Sequence, residues 1–170
     1  RIRLPLDVVM FASANPEDYT NRGRIVTPLK DRFGSQIRTH YPLDPDIEMD
    51  IVDQEATLPV VDGVGVVVPD FMSRLVVAIT HEARRSPHLN QRSGVSVRMS
   101  IANQEALVAS AVRRAVRSGE AVAVPRVSDL DALAASMAGK VEIDSIDDDR
   151  DGETLNRIVR TALLGVFREV

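Results

Sequence analysis

The chain has 170 residues, 21 Lys and Arg against 25 Asp and Glu for a formal net charge of −4, 44% hydrophobic residues and no cysteine. That length and apolar content can bury a core of one or two small domains without staples, and the missing cysteine excludes disulfides and thiolate metal sites. The negative balance argues against a nucleic-acid surface, which needs clustered Lys and Arg, and no apolar run reaches the length of a membrane span.

The chain begins with Arg1 rather than Met, and its first residues read as the middle of a strand, so a piece of something larger is expected. Val8 to Ser13 is short, β-branched and almost wholly apolar, as a strand covered on both faces of a parallel sheet is. It leads into Asn15-Pro16, a turn dipeptide, which puts the Asn15 amide in the crevice where open α/β sheets bind ligands. There it can orient a water near a phosphate. Pro28 opens a short helix, PLKDRF, that carries Arg32. Gln36 to Tyr41 alternates toward another strand, and Pro42 stops it. Strand, excursion, short helix and strand is the order expected if Arg32 lies at the edge of a nucleotide-binding sheet and faces a neighbouring subunit. A guanidinium that never loses its charge stabilises a transferring γ-phosphoryl group, and supplied in trans it is worth roughly 10³ to 10⁵ in rate. A simple turn at Asn15 and a solvated Asp31–Arg32 pair are the plain alternatives.

Beyond Pro42 the pattern is helical. Asp44 to Thr57 begins with Asp and Pro, carries acids in its first turn and spaces Ile47, Ile51 and Val52 along one side. Leu58 to Pro69 is a Gly-punctuated apolar connector or short extended piece. Phe71 to Arg85, with Asp70 as its candidate start, repeats apolar residues at Phe71, Met72, Leu75, Val76 and Ile79, and Ser86-Pro87 ends it. In Gln91 to Arg117, Gly94 loosens the chain, Ser96 is a candidate cap, and a long helix follows with Ile101, Leu107, Val108, Ala111 and Val112 inward. Arg98 sits in its first turn. A cation there opposes the helix dipole by a few tenths to about 1 kcal/mol, which points to a compensating anion that the helix N–H groups would also bind. An exposed Arg on a tolerant turn is the bland alternative. Arg113, Arg114 and Arg117 read as dipole complementation on a solvated face.

Ser128 is expected to cap Asp129 to Ala138, with Gly139 and Lys140 terminating that helix. VEID follows as a connector, and Asp144 to Glu153 as a charged surface loop lacking the offsets of a calcium site. Gly152 to Val170 is a final amphipathic helix with Leu155, Ile158, Val159, Ala162, Leu163 and Val166 inward, closing the bundle or meeting a partner. His40, His81 and His88 are too scattered for a metal, and none is proposed.

The segment Arg3 to Ile37 resembles the post-Walker-B part of the magnesium chelatase ATPase subunit and its relatives, the AAA+ group that includes the MoxR-type ATPases. Asn15 matches sensor 1 of that group, and Arg32 the arginine finger of its LxDRF helix. Arg98 matches sensor 2, early in the lid helix, with Arg92 the neighbouring alternative. The tail from Val124, with SDLDAL, GKVE and an acidic Gly-containing loop, is similar to the end of chelatase-like bacterial ATPases. The resemblance implies an α+β, mostly α fold. Residues 1–42 would be the C-terminal end of a parallel αβα core and residues 43–170 a helical lid. It also implies a cytoplasmic, homo-oligomeric ring, a hexamer, that uses ATP and Mg²⁺ in the full-length parent to remodel a partner protein or insert a metal. This piece has no G-x-x-x-x-G-K-S/T loop and no apolar strand ending in an Asp-Glu pair, so no ATP hydrolysis and no cofactor are expected of it alone. A non-catalytic helical interaction module and a DNA-acting helicase or transcription activator of the same superfamily are the rival functions.

Overall fold

The computed structural model describes residues 8–13, 31–90, 94–143 and 151–169. The chain divides into two units, Arg1–Thr39 and His40–Val170. In the second, α1 (Pro45–Glu55) is followed by β1 (Gly65–Val66), α2 (Asp70–Arg85), α3 (Arg98–Ser118) and β2 (Val122–Ala123). A short 3-10 helix (Val127–Ala132), α4 (Leu133–Ala138) and α5 (Asp151–Glu169) complete it. The two strands pair in parallel, Gly65 opposite Val122 and Val66 opposite Ala123. The described residues are thus mostly helical with a small parallel sheet, the α+β, mostly α class read from the sequence.

The helix ends follow local chemistry. Asp44 caps α1 by accepting the Asp46 N–H at 2.9 Å, and Pro45 occupies the first helical position, where no donor is lost. Gly119, at φ 68°, closes α3 with the Glu120 N–H on the Ala115 carbonyl and the Gly119 N–H on that of Val116. This reversal needs a left-handed residue, which glycine supplies without a Cβ penalty.

Helix α3 is central because it is apolar on two sides. Met99 and Leu107 enter the main core with Met72, Leu75, Val76 and Ile79 of α2, Leu133 and Met137 of α4, and Leu155, Ile158, Ala162 and Val166 of α5. Val108, Ala111, Val112 and Ala115 instead cover Ala123 of β2, with Val64, Val66 and Val68 packed alongside. Helices α2 and α5 lie antiparallel. The Phe71 ring at the start of α2 meets that of Phe167 near the end of α5, at 6.1 Å between centroids.

Several expectations need correction. Val8–Ser13 forms no strand, and Val8 to Phe11 are 65–94% exposed. Residues 36–41 likewise have no regular structure. A parallel strand takes its hydrogen bonds from neighbouring strands and its apolar cover from helices packed on the two faces, and neither segment is part of a strand pair among the described residues. Helix α1 is turned from its expected face: Glu48 and Val52 are buried, whereas Ile47 is 53% exposed. The cap residue of α3 is Val97, with no side-chain cap bond, and Ser96 contributes its carbonyl, to the Met99 N–H. The segment read as starting at Ser128 begins instead as the 3-10 helix after Arg126.

Leu107 is fully buried where α3 meets the other helices. Leu107→Ala is expected to lower stability by about 2–5 kcal/mol. Urea unfolding measures this, and a smaller loss would mean that the site collapses around the cavity.

Candidate functional site

Of the residues matched to the ATPase motifs, Asn15 and Arg92 lie outside the described residues. Arg32 is exposed in a turn with Asp31, in the first unit. Arg98 is exposed as the first residue of α3. The α3 end has no acidic residue in its first turn. Its positive backbone pole is therefore met by a further cation, the arrangement that favours an external anion. Among the described residues neither Arg32 nor Arg98 has a side-chain hydrogen bond or ion pair.

Beneath this end lies a buried polar cluster that no single helix shows by itself. Glu48 of α1 has no exposed surface. Its Oε2 accepts from Arg84 Nη1 at 2.6 Å and from His81 Nε2 at 3.1 Å. Its Oε1 accepts from Ser100 Oγ at 2.6 Å and Arg84 Nη2 at 3.1 Å. Each carboxylate oxygen thus has two donors, which fills its lone-pair sites. Ser100 Oγ also lies 2.7 Å from Thr80 Oγ1. One hydroxyl proton cannot serve both neighbours, so with Ser100 donating to Glu48, Thr80 donates to Ser100.

Arg84 extends this cluster into the loop before α3. Its Nε donates to the Val95 carbonyl at 2.9 Å, and its guanidinium lies 4.8 Å from the centre of the Tyr41 ring. A Cβ on Gly94, at φ 67°, would stand 2.5 Å from the Tyr41 hydroxyl oxygen. Gly94 therefore both adopts a backbone that other residues resist and clears room for Tyr41. Carboxylate, guanidinium and phenol together fix where α3 begins, and hence where Arg98 stands.

The other end of α3 has a second anchor. Arg114 donates to Asp129 Oδ2 at 2.9 Å and to the Val124 carbonyl at 2.7 Å, and it pairs with Glu120 at 3.3 Å. Asp129 also accepts the Arg126 N–H at 2.8 Å and the Ser110 hydroxyl at 3.2 Å. Burial alone would push its carboxyl up, but the Arg114 guanidinium, the Arg126 N–H and the Ser110 hydroxyl together hold it below its ordinary value. The Asp129 hydrogen bond outweighs the cost of burial for Arg114, whose guanidinium is pushed up. Arg114 is thus a tertiary tie, whereas Arg113 and Arg117 are exposed as expected.

A sequence signal for the buried cluster existed. Glu48 is four residues before Val52, on the same helical stripe, and Arg84 is four after Thr80. Both charges also sit where helix dipoles favour them, which is a sufficient local reason for each without tertiary contact. Among the described residues no group of three His, Asp or Glu side chains could hold a metal, and no helix is long and apolar enough to cross a membrane. No family model, curated protein or solved structure matches the chain.

Glu48→Ala would leave Arg84 beside an empty carboxylate site. Stability is expected to fall by about 3–5 kcal/mol, measured by urea unfolding, and a change under about 1 kcal/mol would refute the role given to Glu48. Asp129 sets a pH dependence. Its folded value is depressed, so its contribution is complete above the ordinary value of 3.8 and is lost as pH falls below that value. Between about pH 6 and about pH 3 the Asp129→Asn variant should therefore lose less stability than the wild type. Parallel stability-against-pH curves would show that Asp129 does not contribute.

Proposed function

We propose that the chain is the sensor-and-lid portion of an AAA+ ATPase related to the magnesium chelatase ATPase subunit. In that reading it works within a cytoplasmic homo-oligomeric ring in which ATP sits between subunits. Arg98 couples nucleotide state to lid angle, Arg32 reaches the γ-phosphate of the neighbouring subunit, and Asn15 positions the attacking water. The observation that carries the reading is Arg98: an exposed arginine at the uncapped positive end of the longest described helix, held in place by the Glu48–Arg84 pair. Arg84 and Arg114, by contrast, are turned inward and paired with carboxylates.

The phosphate-binding loop and the Mg²⁺ ligands belong, in this proposal, to the parent protein upstream of Arg1. Mg²⁺ would offset charge on the phosphates there. This chain's own residues reach toward the γ-phosphate and stabilise the charge that spreads over it. The motor's work would be remodelling a partner protein, with metal insertion requiring further subunits.

Arg32→Ala in the full-length parent should reduce ATP turnover by roughly 10³-fold or more. Mixing that variant with a Walker-defective subunit that keeps Arg32 should restore part of the activity, since the defective subunit donates its finger to an intact neighbour. Arg98→Ala should slow turnover while nucleotide still binds. Wild-type turnover by the single Arg32 variant would end the finger assignment, and wild-type turnover by the Arg98 variant would end the sensor assignment.

A further inference from the structure

We infer that the outer face of α5, with the cleft beside its N-terminal half, docks an acidic segment of a partner protein that carries apolar anchors. The inference uses neither Arg32 nor Arg98 and stands apart from the nucleotide reading.

The cleft, of about 200 Å³, lies between the end of α2 and α5, and its walls include Glu82, Arg85, His88, Arg157, Ile158 and Thr161. Glu82 and Arg85 form only a loose pair at 3.7 Å, with the Arg85 side chain 75% exposed. From there the surface continues along α5. Arg157, Arg160, Leu164 and Arg168 recur at intervals of three and four residues, so they share one ridge, flanked by Phe167. All are exposed, Leu164 at 60% and Phe167 at 55%. Among the described α5 side chains the sole acid is Glu153, near the opposite end of the helix.

Three arginines on one ridge of α5, with Arg85 at the cleft beside it, stand out in a chain of net charge −4. Arginine beside exposed Leu and Phe is the composition of a protein interface, where the apolar groups anchor and the cations select an acidic partner. A nucleic-acid backbone would use the cations and leave both anchors in water. A membrane surface needs a continuous apolar face, but α5 buries Leu155, Ile158, Ala162 and Val166 in the bundle. Only Leu164 and Phe167 remain for it.

The test uses the 170-residue chain and a fluorescent sixteen-residue helical peptide of Glu, Ala and Leu, with Leu on one face. Binding is measured by anisotropy, without nucleotide. The wild type should bind, and both Arg157→Glu/Arg160→Glu and Leu164→Ser should weaken binding by about tenfold or more, with circular dichroism confirming the fold. No binding by the wild type, or equal binding by the variants, would overturn the inference. So would tighter binding to a DNA duplex or to phosphatidylserine vesicles, or self-association lost with the same substitutions, each of which names a different occupant.

Discussion

The second unit depends on a carboxylate that no water reaches. Removing Glu48 and Arg84 from solvent costs several kcal/mol per charge, and their attraction offsets that cost only when the geometry is good and every remaining lone pair is used. Both conditions hold. The guanidinium grips both oxygens, and His81 and Ser100 complete the set. Because the donors come from α2 and α3 and the acceptor from α1, three helices cannot shift past one another without leaving a buried charge unpaired. Apolar packing alone would tolerate small slides, whereas this cluster selects one register.

That register extends into the loop before α3. Arg84 spends its remaining Nε donor on the Val95 carbonyl and its face on Tyr41, while Gly94 gives Tyr41 room. The start of the long helix is thereby tied to the same ion pair that joins the bundle. Its far end is tied through Arg114 and Asp129 to the 3-10 helix. A helix fixed at both ends and apolar on two sides is coupled to its neighbours along its length. This is the mechanical property required if a group at its tip is to convert contact with a phosphate into rotation of a whole domain.

The arginines therefore fall into three physical roles that composition does not distinguish. Arg84 and Arg114 are internal ties, largely removed from water and paired with carboxylates. Arg98 stands outward at a helix pole where the backbone already favours an anion. Arg157, Arg160 and Arg168 line an outer ridge beside exposed apolar side chains. Planarity and permanent charge suit arginine to all three, so only its surroundings assign the role.

The amino-acid order determined the helices. Apolar residues three and four apart over ten or more positions mark α2, α3 and α5, and Asp44-Pro45, Ser86-Pro87 and Gly119 punctuate them through local chemistry. Those signals act within one turn of chain and need no distant partner. The place of Arg98 in the first turn of the long helix was legible for the same reason, since its conflict with the helix dipole is local. What tertiary structure decided is everything that depends on a partner far along the chain. Val8–Ser13 has the composition of a buried strand but no neighbour to pair with among the described residues. The Ile47 stripe of α1 yielded its inward place to Glu48, because Arg84, thirty-six residues away, supplies the countercharge that makes burial of an acid tolerable. Periodicity reports which side of a helix is apolar, and only the assembled neighbours determine which charges can afford to leave water.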